Sequence, residues 1–330
     1  MAGPFHNAIK GTTAGAPGAG AFTPNAASSA ALAWSTVPVG WWGLVRFEDG
    51  AAWELSYCYW NGTTLSRATT QFVSSSTAAI LTLTAAATAA LISDGGRSAP
   101  HTIVPWRLAS PLINSAAAPS AVGMAAGTMT GTAAAGALAA TNYLTEQPRV
   151  PLTSVTTANG QSGYSNLSAM GLSSTAAGRG GWEFACRFGA STLPTGPRLF
   201  VGMTNATFVA NIGEPSALVA GYAVFAKDST DTNIQLLVSN GLTSTKIDTG
   251  IALVAGGFYE ATIWTNPGSL TVRALLVRLD TGAIFYTTTT TDVPANGSLL
   301  FPQCLGGLSA TTGTAFVMHF GGYAVRTGGS

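Results

Sequence analysis

The sequence predicts an all-β chain made of a small N-terminal hairpin and meander module, an Ala/Gly-rich connector and a C-terminal jelly-roll β-sandwich. Three observations lead there. Short runs of β-branched and aromatic residues recur, Gly, Pro, Asn and Asp break them at short intervals, and the C-terminal half shows no 3.6-residue apolar period. At 330 residues the chain is long enough for two domains, each with its own core. The segments read as an extended arm (1–33), a β module (34–107), a connector (108–145) and a jelly-roll domain (146–330).

The arm is rich in Gly, Ala and Pro, with few large side chains beyond Phe5, Ile9, Phe22 and Leu32. Alone it offers too little apolar surface to offset its ordering entropy. Trp34, Trp41 and Trp42 follow as an aromatic knot, expected in a core or an assembly contact. Next, Val45–Phe47 and Trp53–Tyr59 flank Asp49-Gly50, a turn pair that tolerates positive φ. Asn61-Gly62 favours a second tight turn, pairing Leu55–Tyr59 with Thr63–Thr69. After a Ser74–Ser76 turn, Ile80–Thr84 alternates apolar and hydroxyl side chains as a half-buried strand would.

From Leu108 to Thr145 there is no charged residue. Gly123, Gly127, Gly131 and Gly136 are spaced as in closely packed helices, whereas Pro119 and the glycines themselves favour an extended linker, and both readings stay open. Beyond it, strands are expected over Gly181–Phe188, Arg198–Met203, Leu218–Ala226, Asn233–Ser239, Phe258–Thr265, Leu270–Leu279, Ala283–Thr291 and Ala315–Val325. Many short strands with frequent turns indicate a two-sheet sandwich.

Catalytic constellations are sparse. His6, His101 and His319 fall in the arm, in a loop before Pro105 and in a strand, without metal-binding or general-base spacing, and His319 is expected on the opposite face from Val317. No Gly-x-Ser-x-Gly elbow or phosphate-cradling loop occurs. Glu183, Asp228, Asp231, Glu260, Asp280 and Asp292 are the carboxylates that glycosidase chemistry could pair, and Asp228 and Asp231 lie in a turn that lacks the full calcium-loop spacing. Turn formation and solvation account for these acids. Cys58, Cys186 and Cys304 lie far apart in apolar or strand contexts and read as buried free thiols. No catalytic, cofactor or metal residues are therefore assigned, no cofactor is expected, and the ligand-binding residues are unknown.

Charge narrows the partners. Only 14 Lys and Arg and 13 Asp and Glu are present, and the net charge of +1 offers no field to attract nucleic acid. So charge-poor a surface is easier to keep soluble when copies of itself or a larger assembly cover it. Met1–Lys10 lacks a basic segment followed by an apolar one, so folding in a reducing cytoplasm is expected, and no run reaches the length of a membrane span.

Glu48, Asp49, Gly50, Trp53 and Glu54, followed by Tyr59, Asn61, Gly62, Thr63, Thr64, Leu65 and Arg67, carry a further signal. This EDG…WE strand, hairpin and Ser-rich turn resemble the N-terminal module of tailed-bacteriophage fibre and appendage proteins, and Thr12–Thr23 resembles that module's opening strand. Phe200–Met203, the run from Asp231, Lys246–Gly250, Arg278–Gly282 and Asp292–Asn296 are similar, more diffusely, to lectin-like C-terminal domains of phage tail proteins. The resemblance implies a non-enzymatic structural virion protein assembled in the host bacterial cytoplasm. It implies a tail fibre, homotrimeric, docked to other virion proteins through its N-terminal arm and recognising host cell-surface polysaccharide. A capsid head fibre or decoration protein without receptor binding is the alternative. A glycan depolymerase and a secreted lectin come after it.

Overall fold

The computed structural model describes residues 10–13, 15–27, 33–37, 42–69, 72–91, 106–109, 128–166, 169, 171–173, 180–206, 213–266 and 268–327. His6, His101, Trp41, Gly123 and Gly127 lie outside them. The chain forms two compact units, Met1–Ile103 with Thr281–Thr287, and Val104–Asp280 with Thr288–Ser330.

The first unit is a six-stranded sheet of β1 (Lys10–Thr13), β2 (Pro24–Ala27), β3 (Trp42–Asp49), β4 (Ala52–Tyr59), β5 (Phe72–Ser75) and β6 (Thr88–Leu91), in the order β2-β1-β6-β3-β4-β5. Within residues 1–33, then, two strands fold back into the sheet and Phe22 is fully buried in its core. The β3–β4 turn is the expected one, with Gly50 at φ 63° and Asp49 opposite Ala52. Alternation places Val45 and Phe47 inward against Phe22, Trp34, Cys58, Trp60 and Leu65. Trp34 is buried and its indole N–H donates to the Ala89 carbonyl, while the Trp42 ring lies 6.5 Å from that of Tyr57.

Two expectations for this unit need correction. Asn61 and Gly62 do not form a two-residue hairpin, because Asn61 Oδ1 accepts from both Thr63 N (2.9 Å) and Thr64 N (2.7 Å) and draws a wider turn. Only Trp60 and Leu65 bridge; Leu65 goes on to pair with Phe22, and β5 takes the free edge of β4. Ile80–Thr84 does alternate, with Leu81 and Leu83 buried and Thr82 and Thr84 exposed, but it makes one bridge, Leu83 to Gly18, and the strand proper is β6.

The second unit holds β7 (Trp106–Ala109), β8 (Thr128–Thr130), β9 (Thr132–Ala133), β10 (Val150–Thr153), β11 (Gln161–Ser165), β12 (Gly171–Leu172), β13 (Trp182–Thr192), β14 (Arg198–Thr204), β15 (Gly221–Lys227), β16 (Asn233–Asn240), β17 (Ser244–Ala252), β18 (Phe258–Thr265), β19 (Val272–Arg278), β21 (Leu299–Gly307) and β22 (Val317–Thr327), whereas β20 (Ala283–Thr289) is grouped with the first unit as far as Thr287. One sheet runs β20-β19-β18-β13-β22-β10-β9, with β7 also on β22; the other runs β17-β16-β15-β14-β21-β11-β8, with β12 also on β21. The chain is all-β, and these sheets face each other as a two-sheet sandwich. Across the gap the Tyr164 and Phe320 rings stack at 5.0 Å, and Ser162 Oγ donates to the Phe316 carbonyl at 3.4 Å.

Local chemistry explains the strands that sequence reading left out. In β21 the Pro302 carbonyl accepts from Asn166 N, so the missing Pro N–H points the same way, into the gap between β11 and β12 where no ladder partner is required. β17 is a polar edge strand whose exposed Ser244, Lys246 and Asp248 mask its period. The described part of 108–145 holds the end of β7, the strands β8 and β9, an irregular stretch and one helical turn, α1 (Tyr143–Glu146). Its glycines serve close approach: Gly131 has φ 88° and a Cβ there would sit 2.6 Å from the Thr153 carbonyl, and a Cβ on Gly136 would overlap the Arg149 carbonyl.

Candidate functional site

The candidate carboxylates lie in the sandwich unit, and most act as fasteners. Lys246 Nζ bridges Asp228 (2.9 Å) and Asp231 (2.6 Å) from the neighbouring strand β17. Asp231 Oδ2 accepts from Asp228 N, and Asp228 Oδ1 from Ser216 N. Burial pushes the Asp228 carboxyl up, but the Ser216 and Lys246 hydrogen bonds outweigh it and hold the group below its usual range. The turn is therefore organised around an internal ammonium, not around a cage for calcium. Nearby, Glu214 accepts from Arg198 (2.6 Å) and from the Ser229 hydroxyl and N–H, while Arg198 also donates to Asn159 Oδ1. A cavity of about 20 Å³ beside Arg198, Phe200, Pro215 and Leu305 has room for a water molecule and not for a sugar ring.

Elsewhere Glu260 pairs with Arg187 at 3.0 Å, Asp280 holds Arg278 bidentately, and Asp292 accepts from Thr243, Thr245 and Asn240. Among the described residues no three His, Cys, Asp or Glu side chains group as a metal site would require. All three cysteines are buried free thiols.

His319 is 5% exposed and shares a face with Val317, not the opposite one, since the two lie two residues apart in an unbroken register with β10. Its Nδ1 accepts from Arg149 Nε at 3.1 Å and its Nε2 lies 2.7 Å from Ser191 Oγ. With an arginine donating to Nδ1, the neutral ring carries its proton on Nε2 and donates to the serine. Burial and the Arg149 charge bring its pKa down to about 4. A base that points its N–H at the hydroxyl cannot take the serine proton, so this pair is the reverse of an activated nucleophile.

One surface is built differently. Glu183 on β13, Trp264 on β18 and Arg273 on β19 stand in cross-strand register on the outer face, alternating with the inward Phe184, Ile263 and Ala274. All three are half-buried. Arg187, on the same face of β13, is tied to Glu260. Arg273 has no such tie, and its Nη1 is buried without a hydrogen-bond partner. Sequence reading passed over Trp264 and Arg273, which stood as ordinary members of two strand-like runs. The available signal was an arginine alternating with apolar residues in Val272-Arg273-Ala274.

No family model matches the chain, and no curated protein matches it in sequence. Several solved structures align with it. A protein of unknown function from Shewanella oneidensis MR-1 aligns with 72% of this chain and 95% of its own length, at 13% identity and a TM-score of 0.47. Peanut lectin aligns over 61% of this chain and 91% of its own at 12% identity and 0.42, and lectin II from Ulex europaeus over 68% and 98% at 9% and 0.42.

Proposed function

We propose that this chain is a non-catalytic structural protein of a tailed-bacteriophage virion, a tail fibre that attaches through its N-terminal unit and binds host-surface glycan through its β-sandwich. The observation that carries the reading is the outer-face row of Glu183, Trp264 and Arg273. An accessible indole between charged side chains suits a sugar, whose apolar ring face stacks on the aromatic while hydroxyls reach the flanking groups. The phage-module resemblance of Arg46–Thr70 supports the virion part. Its Trp53-Glu54 and Arg67 belong to a unit with a core of its own, as an anchoring module requires. The ion-paired and hydroxyl-bonded acids of the sandwich suit binding better than hydrolysis.

Weak single-site binding gains effective affinity when several copies act together, so the proposal includes a homotrimer on the virion. The test is immunogold labelling of purified virions with antibodies to the chain, together with adsorption of labelled full-length protein to host cells. Labelling along the tail with adsorption that soluble host polysaccharide blocks is the expected outcome. Label on the capsid without adsorption would assign a head fibre or decoration protein instead, and absence from virions would overturn the virion role.

A further inference from the structure

We infer that Glu183, Trp264 and Arg273 form a subsite for an acidic pyranose, a sugar residue bearing a carboxylate, in which Arg273 takes the carboxylate and Trp264 the ring. The inference rests on the glycan-binding reading and names the ligand class.

Arg273 is the key. Among the described cationic side chains, Arg46, Arg67, Arg149, Arg187, Arg198, Lys227, Lys246 and Arg278 each have an anion, carbonyl or ring nitrogen as acceptor. Arg273 alone has none, although its Nη1 is buried. A half-buried guanidinium without any acceptor is costly, and the cost is offset if a ligand pairs with the part of the group that solvent reaches. Planar and always charged, the group matches a carboxylate bidentately.

The register supplies the remainder. Adjacent strands lie roughly 4.8 Å apart, which puts Glu183 roughly 10 Å from Arg273 with Trp264 between them, a span that one pyranose ring fills. The negative charge of Glu183 lies at the end away from Arg273, so an acidic sugar is oriented as well as held. A neutral sugar would leave Arg273 unpaired, and so would gain only the stacking.

The probes are oligogalacturonate and a galacto-oligosaccharide of equal length, titrated calorimetrically into the full-length chain. The acidic probe is expected to bind about tenfold to a hundredfold more tightly, as befits a charge-assisted hydrogen-bond pair. Arg273→Gln should erase that preference while keeping neutral binding, Arg273→Lys should retain part of it, and Trp264→Ala should weaken both probes. Unchanged thermal unfolding of the variants confirms that they are folded. Equal affinity for the two probes, or undiminished preference in Arg273→Gln, would overturn the subsite. Failure to bind either probe would also overturn it. Host-cell adsorption by the same protein then separates loss of this subsite from loss of glycan binding altogether: adsorption that persists in both variants leaves the broader reading standing.

Discussion

Glu54→Ala is expected to unfold the N-terminal unit far more readily while sparing the sandwich. Glu54 and Arg67 are both fully buried and joined bidentately, through Arg67 Nε to Oε1 at 2.8 Å and Arg67 Nη2 to Oε2 at 2.6 Å. Glu54 also accepts from Ser56 Oγ and Leu81 N, each at 2.7 Å, while Arg67 donates to the Gly18 and Leu81 carbonyls and lies over the Phe47 ring. The pair thus ties together the opening loop, β4, the 60–67 turn and the 80–83 segment. Removing the carboxylate strands a guanidinium and an amide in the core, at a cost of about 3–5 kcal/mol. That is a large part of the ~5–15 kcal/mol that stabilises a typical domain. Hydrogen exchange of the full-length chain reads it by region: protection across 42–91 should fall at least ~100-fold, and peptides from 182–280 should be unaffected. Glu54→Met with Arg67→Met should cost less than the single change, since no uncompensated charge remains. A loss under about tenfold in Glu54→Ala, or a double variant as unstable as the single, would refute the reasoning.

Three further outcomes follow from the sandwich and the thiols. His319 binds its proton at about pH 4 when folded and near its ordinary 6.5 when unfolded, so its contribution is complete above 6.5 and is lost as pH falls toward 4. That loss amounts to about 3 kcal/mol, and urea unfolding at pH 7, 5.5 and 4.5 should show it in wild type and a flatter slope in His319→Gln; equal slopes would contradict it. Gly163→Ala should lower the melting temperature by roughly 6–12 °C, because at φ 146° its methyl would overlap the Cys304 carbonyl. Gly250→Ala, at φ 68° in open space, should cost only about 1–2 kcal/mol, and equal losses would show that clash is not the cause. Burial pushes the Cys58 and Cys304 thiols well up, so a thiol-exchange reagent at pH 8 should label the native chain slowly and all three cysteines after denaturation. Rapid native labelling would mean that a core opens readily.

What was legible in the sequence was whatever rests on local repetition. Val45 and Phe47, or Trp182, Phe184, Cys186 and Phe188, alternate so regularly that strand and buried face follow from the sequence. Gly50 marked its turn because only the chain's own backbone was involved. The reading failed where a distant group, or a side chain bonding its own turn, decided the matter. Pro302 sits in a central strand because β11 ends beside it, and Asn61 draws a wide turn because its own side chain accepts the amides that strand pairing would have used. Gly131 and Gly136 answer to Thr153 and Arg149 across the fold, so their spacing carried no helical meaning.

The same distinction separates the structural charges from the functional candidate. In so charge-poor a chain most ionic side chains are accounted for by a partner, and the partner is remote in sequence: Glu54 with Arg67, Arg198 with Glu214, Lys246 with Asp228. Sequence shows each charge but not its commitment. Arg273 stands out only after each of the other cations whose side chains are described has been matched to an acceptor, because what distinguishes it is the missing acceptor. Its neighbours Trp264 and Glu183 are fixed on the same outer face by antiparallel register. A sheet that ties down Arg187 with Glu260 yet leaves Arg273 untied, two strands away beside an indole, has solvated one charge internally and left the other for a ligand.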